Sequence, residues 1–191
     1  IEPNIGIVTV PDDRLTKLSL FSKSAKTVPA VMEFVDIAGL VAGASEGEGL
    51  GNKFLSHIRE VDAIVQVVRI FPGEKITHVH NRIDPVRDIE VIETELILAD
   101  MDTVAKAEQR YEKEARGQDQ EAIAKLSVLK TLKATLEAGT LATLAPVGFT
   151  EDTVRKLFAE LQLLTAKPVL YAYNVADIET QLMPELEARP H

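Results

Sequence analysis

From Met32 to Asn52 the chain runs Met-Glu-Phe-Val-Asp-Ile-Ala-Gly-Leu-Val-Ala-Gly-Ala-Ser-Glu-Gly-Glu-Gly-Leu-Gly-Asn. An apolar run closes on Asp36-x-x-Gly39, and glycines then recur at Gly39, Gly43, Gly47, Gly49 and Gly51. The run reads as a buried strand, and its carboxyl end is where open α/β sheets bind ligands. A carboxylate there can hold a Mg²⁺-bound water, and a glycine backbone N–H can meet a phosphate. Taken alone, Asp-x-x-Gly is a turn signal. The glycine-rich continuation and a second motif give it weight.

The second motif is Lys167-Pro168-Val169-Leu170-Tyr171-Ala172-Tyr173-Asn174-Val175-Ala176-Asp177. A short β-branched and aromatic run predicts another strand, which delivers Asn-x-x-Asp at its end. GTPases carry Asn-Lys-x-Asp at such a position, where the Asp accepts two hydrogen bonds from the guanine edge. Asn174 and Asp177 alone read as a capped turn. Two strand-end motifs in this order, with a third apolar strand at 63–68 between them, outweigh that reading.

The segments 1–4, 32–41 and 43–52, with Ile58-Arg59-Glu60, Asp88-Ile89-Glu90-Val91-Ile92 and Thr94-Glu95-Leu96, resemble the YchF / Obg-like ATPase family. The resemblance covers nearly the whole chain. It implies an α/β fold: a mostly parallel P-loop NTPase sheet carrying an inserted α-helical antiparallel coiled-coil hairpin. It also implies ATP hydrolysis with Mg²⁺ and association with the ribosome or translation factors. The departures are specific. No Gly-x-x-x-x-Gly-Lys-[Ser/Thr] occurs, although family members use that loop to cradle phosphates. The sequence starts inside what resembles switch I and stops soon after Asp177, before the family's C-terminal TGS domain. The expectation is an internal fragment with weak or no triphosphate binding of its own.

Composition bounds the rest. A length of 191 residues allows one or two domains, and the absence of cysteine excludes disulfide and thiol chemistry. No apolar stretch approaches the roughly 18 residues of a membrane span. A net charge of −9 argues against electrostatic wrapping of nucleic acid, and no direct DNA binding is expected. A cytoplasmic protein is the expectation. Lys106, Arg110, Lys113 and Arg116 recur at helical spacing but are interleaved with Glu108, Glu112 and Glu114, which reads as a solvated face.

The predicted layout has a first nucleotide-binding part at 1–87, an inserted helical domain at 88–164, and a second nucleotide-binding part at 165–191. Strands are predicted at 5–10, 31–35 and 63–68, with a short helix capped by Asp13 and another over 51–60. In the insert, Ile89, Ile92, Leu96 and Ala99 repeat at helical spacing, as do Ala122, Leu126, Leu129, Leu132 and Leu136. Gly117 and Asp119 between them supply a helix stop and an N-cap. A further helix is predicted over 151–164.

Phosphoryl transfer to water needs positioning and charge stabilisation more than covalent help. Asp36 is the candidate metal ligand, through water on Mg²⁺, and Gly39 the candidate γ-phosphate amide. Ras-type GTPases orient the attacking water with a Gln after this Gly; here Leu40 cannot hydrogen-bond. Another group, a partner or a monovalent cation such as K⁺ is therefore needed. The stretch Lys75-Ile76-Thr77-His78-Val79 resembles the family segment whose His replaces that Gln, which makes His78 the catalytic candidate; a plain loop histidine is the equal alternative. For the base, the resemblance implies adenine read by Asn174 and Val175. Asp177 stands where the family mostly has Glu. An Asp facing adenine would be left unpaired at a cost of about 1–3 kcal/mol, so GTP stays open beside ATP. Two other classes compete: a GTP-binding or ribosome-docking module with negligible intrinsic catalysis, and a structural coiled coil, which leaves the glycine-rich segment unexplained.

Overall fold

The computed structural model describes residues 4–37, 50–71, 84–148, 151–176 and 184–187. It divides into two compact units, Ile1–Gly39 and Leu40–His191. Among the described residues no helix is long and apolar enough to cross a membrane.

In the first unit, β1 (Asn4–Thr9) and β2 (Val31–Asp36) flank the helix α1 (Asp13–Ser22). The strands pair antiparallel, with Asn4 opposite Asp36 and Thr9 opposite Val31. The resemblance implies a mostly parallel sheet; this pair is an antiparallel one. A parallel crossover requires the helix to pack back on the sheet, and α1 buries none of its side chains. The helix is capped by Asp12 rather than Asp13: the Asp12 carboxylate accepts from the Arg14 backbone N–H at 2.9 Å and pairs with its guanidinium.

The second unit opens with α2 (Leu50–Glu60) and β3 (Ile64–Arg69). β3 pairs parallel with β4 (Val169–Asn174), from Ile64 opposite Val169 to Arg69 opposite Asn174. One face of this pair is covered. Val68, Tyr171 and Tyr173 pack with Ile89 and Val86 of α3 (Pro85–Ala115) and with Leu186 of the short helix α6 (Pro184–Glu187). The Tyr171 hydroxyl donates to Glu93 Oε1 at 2.7 Å. The other face leaves Val65, Val67 and Leu170 exposed.

The helical hairpin is present as α3 and α4 (Gln120–Glu137). They run antiparallel, because Lys125 meets Tyr111 while Lys133 meets Glu108. The predicted α4 stripe is in the core: Leu129 and Leu132 are fully buried against Val104, Ala107 and Tyr111, whereas on α3 the predicted Ile89 packs instead on the β3–β4 pair. Asp119 caps α4, accepting from Glu121 N–H at 2.9 Å. The left-handed residue of the turn is Gln118, not Gly117. Helix α5 (Asp152–Leu161) lays Leu157 and Leu161 on the same core. It stops earlier than predicted: Gln162 turns left-handed, and Leu164–Ala166 then forms a 3₁₀ turn.

Candidate functional site

Period-two alternation aims the strand-end residues. In β4, Tyr171 and Tyr173 face α3 and α6, so Leu170, Ala172 and Asn174 point to the opposite side. Asn174 is exposed at the carboxyl end of β4, where its carbonyl accepts from the Ile70 N–H at 3.0 Å. That bond continues the parallel ladder one residue beyond Arg69 and fixes the point where the chain leaves the sheet. Val175 follows, half-buried. Asn174 thus offers an amide donor and acceptor, with an apolar neighbour, at the sheet edge that binds ligands in open α/β folds.

Asp36 is the last residue of β2 and is exposed. It belongs to the first unit, whereas Asn174 and Val175 belong to the second. Gly39, Leu40, His78 and Asp177 lie outside the described residues. An exposed carboxylate is a hard oxygen ligand suited to Mg²⁺. Among the described residues no group of three or more His, Cys, Asp or Glu stands together. Mg²⁺ is held by one or two carboxylates plus substrate phosphates rather than by an all-protein cage, so a lone Asp36 fits that mode.

Two polar clusters carry the unit's electrostatics. Asp100 of α3 is 1 % exposed and accepts three hydrogen bonds, from Leu164 N–H at 2.9 Å and from Thr165 N–H and Oγ1–H, both at 2.7 Å. Burial pushes its carboxyl above the ordinary value, against the pull of the Thr165 and Leu164 donors and the charge of Arg59. Glu160 of α5 meets Arg110 and the Tyr111 hydroxyl. Burial raises its carboxyl, but those donors and Lys125 outweigh it and hold the group below its ordinary value. Arg110 and Lys125 also lie over the Tyr111 ring, 4.5 and 5.1 Å from its centroid. The mixed-charge face of α3 is therefore partly spent on docking α5.

A cleft of about 520 Å³ is lined by Arg59, Glu60, Asp62, Gln162 and Lys167 among others. It lies where the chain enters β4, at the opposite end from Asn174, so it is separate from the strand-end site. Arg59 and Lys167 both fall within the quoted motifs, yet nothing in the sequence pairs them. Their partners lie 44 to 108 residues away.

The family described as 50S ribosome-binding GTPase matches residues 12–127, more than half of the chain. The "Ribosome-binding ATPase YchF" of Bacillus subtilis is 54% identical over 179 residues, which are 94% of this chain and 48% of that protein. The Haemophilus influenzae protein of the same name is 47% identical over 187 residues, 98% of this chain and 51% of its own length. The solved structure of the Schizosaccharomyces pombe YchF GTPase superimposes with a TM-score of 0.68 at 39% identity, covering 91% of this chain and 47% of that one. The chain spans about half the length of the curated relatives it matches. On these matches, and on the α/β architecture with its helical hairpin, the chain belongs to the 50S ribosome-binding GTPase family, in its YchF / Obg-like branch.

Proposed function

We propose that this chain forms much of the nucleotide-binding region of a cytoplasmic, ribosome-associated switch that hydrolyses ATP with Mg²⁺. The observation that carries the reading is the parallel β3–β4 pair with Asn174 exposed at its carboxyl end and Val175 beside it. The relatives named as ribosome-binding ATPases support the nucleotide and the partner. The same reading divides the chain into nucleotide-binding parts at 1–87 and 165–191 around a helical insert at 88–164.

In this reading Mg²⁺, when bound, neutralises phosphate charge, and Asp36 holds it through water. Gly39 donates its N–H to the γ-phosphate. Asn174 donates to and accepts from the purine edge, and Val175 packs on the base. His78 orients the attacking water in place of the Gln that Leu40 displaces; K⁺ is the alternative source of help. GTP is the second reading, favoured by Asp177 and by the relative described as a GTPase.

The test is competition of ATP against GTP, with Mg²⁺, on the protein that carries this sequence and on its Asn174→Ala variant. ATP is expected to bind more tightly, and the variant to lose about tenfold, the worth of one or two purine hydrogen bonds. Tighter GTP binding would remove the adenine assignment of Asn174. No binding of either nucleotide would remove the nucleotide reading itself.

A further inference from the structure

Arg69 ends β3 and stands opposite Asn174, the last residue of β4. Residues in register on neighbouring parallel strands, about 4.8 Å apart, send their side chains to the same face. Arg69 therefore shares with Asn174 the face turned away from α3 and α6, at the carboxyl edge of the pair. Its guanidinium does not hang free. Nε donates to the Phe71 carbonyl at 3.0 Å, and the group lies over the Phe71 ring, 4.6 Å from its centroid. Phe71 follows the strand, so both contacts draw the cation past the strand end, onto the rim where open α/β sheets take ligands. Among the described residues two side-chain nitrogens are buried without a hydrogen-bond partner, Arg59 Nε and Arg69 Nη2. Arg59 lies in the cleft at the entry to β4; of the two, only Arg69 stands at the ligand-binding edge.

A buried donor left unpaired is costly, and more so on a charged group. No ion pair among the described residues includes Arg69, on a chain whose net charge is −9. A planar fork of donors held in place, with one nitrogen unpaired, suits a phosphate, which accepts from two of its N–H groups at once. We propose that Arg69 is a specificity-determining residue of the strand-end site, its guanidinium taking the 5′-phosphate next to the sugar of the nucleotide whose base Asn174 contacts. This rests on the nucleotide reading above, and it uses only residues at the carboxyl end of the β3–β4 pair. The phosphate supplies the acceptor that Nη2 lacks. The Phe71 contacts preorganise the fork, so little side-chain freedom is lost on binding. The 5′-phosphate is common to mono-, di- and triphosphates and missing from a nucleoside. The contact therefore separates nucleotides from nucleosides and is blind to how many phosphates follow.

The measurement is the affinity of the protein carrying this sequence for a purine nucleoside and for its 5′-monophosphate: adenosine with AMP, or guanosine with GMP, whichever base binds. The wild type is expected to hold the monophosphate more tightly. In Arg69→Met that advantage should fall at least about tenfold, the worth of one charge-assisted hydrogen bond, with nucleoside affinity unchanged. Arg69→Lys keeps the charge without the fork and should restore part of the advantage. Phe71→Leu removes the ring beneath the guanidinium while leaving Arg69 itself, and should lower the advantage by less. It also serves if Arg69→Met does not fold. A merely structural role in holding the strand exit would lower both affinities by the same factor, or only the melting temperature, and that result would overturn the proposal. So would an unchanged advantage in folded variants. Wild-type binding of the monophosphate no tighter than of the nucleoside would remove the Arg69 contact and leave the base contact standing. If the wild type bound no purine compound, the nucleotide reading would fall first and the role of Arg69 with it.

Discussion

The α3–α4 pair and the β1–β2 pair are both antiparallel and both rich in apolar residues, but only the helices bury them. Val104, Leu129 and Leu132 are at 0 % exposure, whereas Ile5, Ile7 and Phe34 stand at 60, 65 and 47 %. The helices gain a third layer from α5, whose Leu157 and Leu161 close the core, and from the segment around Leu163. Among the described residues of their own unit the strands have only α1 beside them, and α1 buries none of its side chains. A two-stranded ribbon without a packed face is marginal in water, while a helical pair with a third element encloses a core. The contrast teaches that pairing supplies geometry, and layering supplies stability.

The largest expected effect tests the closed side. Leu132→Ala removes a fully buried side chain from the α3–α4 core and should lower unfolding free energy by about 2–5 kcal/mol, read from denaturant midpoints. A loss under about 1 kcal/mol would mean the core collapses around the gap and is looser than its burial implies.

Asp100→Asn comes next. The Asn keeps one acceptor and turns an N–H₂ toward backbone donors that now bond a carboxylate, so a loss of about 1–3 kcal/mol is expected. The sign with pH is definite. Burial holds the Asp100 carboxyl above its ordinary 3.8, so the folded state takes up its proton more readily than the unfolded chain. Its stabilising contribution is full below 3.8 and is lost as pH rises toward the raised folded value. Urea unfolding across pH 3.5–7 should show that component in the wild type and not in the variant.

Glu160→Gln probes how α5 is held on the hairpin. Donors outweigh burial and keep this carboxyl below its ordinary 4.5, so its contribution is present above 4.5 and disappears as pH falls through the lower folded value. About 1 kcal/mol or less is expected at neutral pH, because the cluster faces solvent, and no difference from the wild type at strongly acid pH. The smallest effect tests the open side. Phe21, 90 % exposed on α1, changed to Ser should alter stability by about 0.5 kcal/mol or less. A loss several times larger would show that this face is covered in solution and would erase the contrast.

Local signals read well. The three-and-four spacing of Leu129, Leu132 and Leu136 located α4, and Asp119 marked its first turn. The run 169–173 placed β4 and, with it, Asn174. Local signals failed where a long-range contact decided. Nothing near Asp152 says that helix α5 stops at Leu161; it stops because Leu164 and Thr165 turn their N–H groups to Asp100, 64 and 65 residues away. The antiparallel pairing of β1 with β2 was not legible either, because strand–helix–strand order does not say whether the helix will pack.

By itself the sequence determined the element types, the helical stripe, the two strand-end motifs and the resemblance to the YchF / Obg-like family, because periodicity, caps and motifs are carried by neighbours in the chain. Only the tertiary structure decided the β3–β4 register that aims Asn174, the burial of Asp100 and the long-range contacts of Arg59 and Lys167. Those depend on which carbonyls, hydroxyls and charges meet after the chain has folded back on itself, and such meetings leave no local trace.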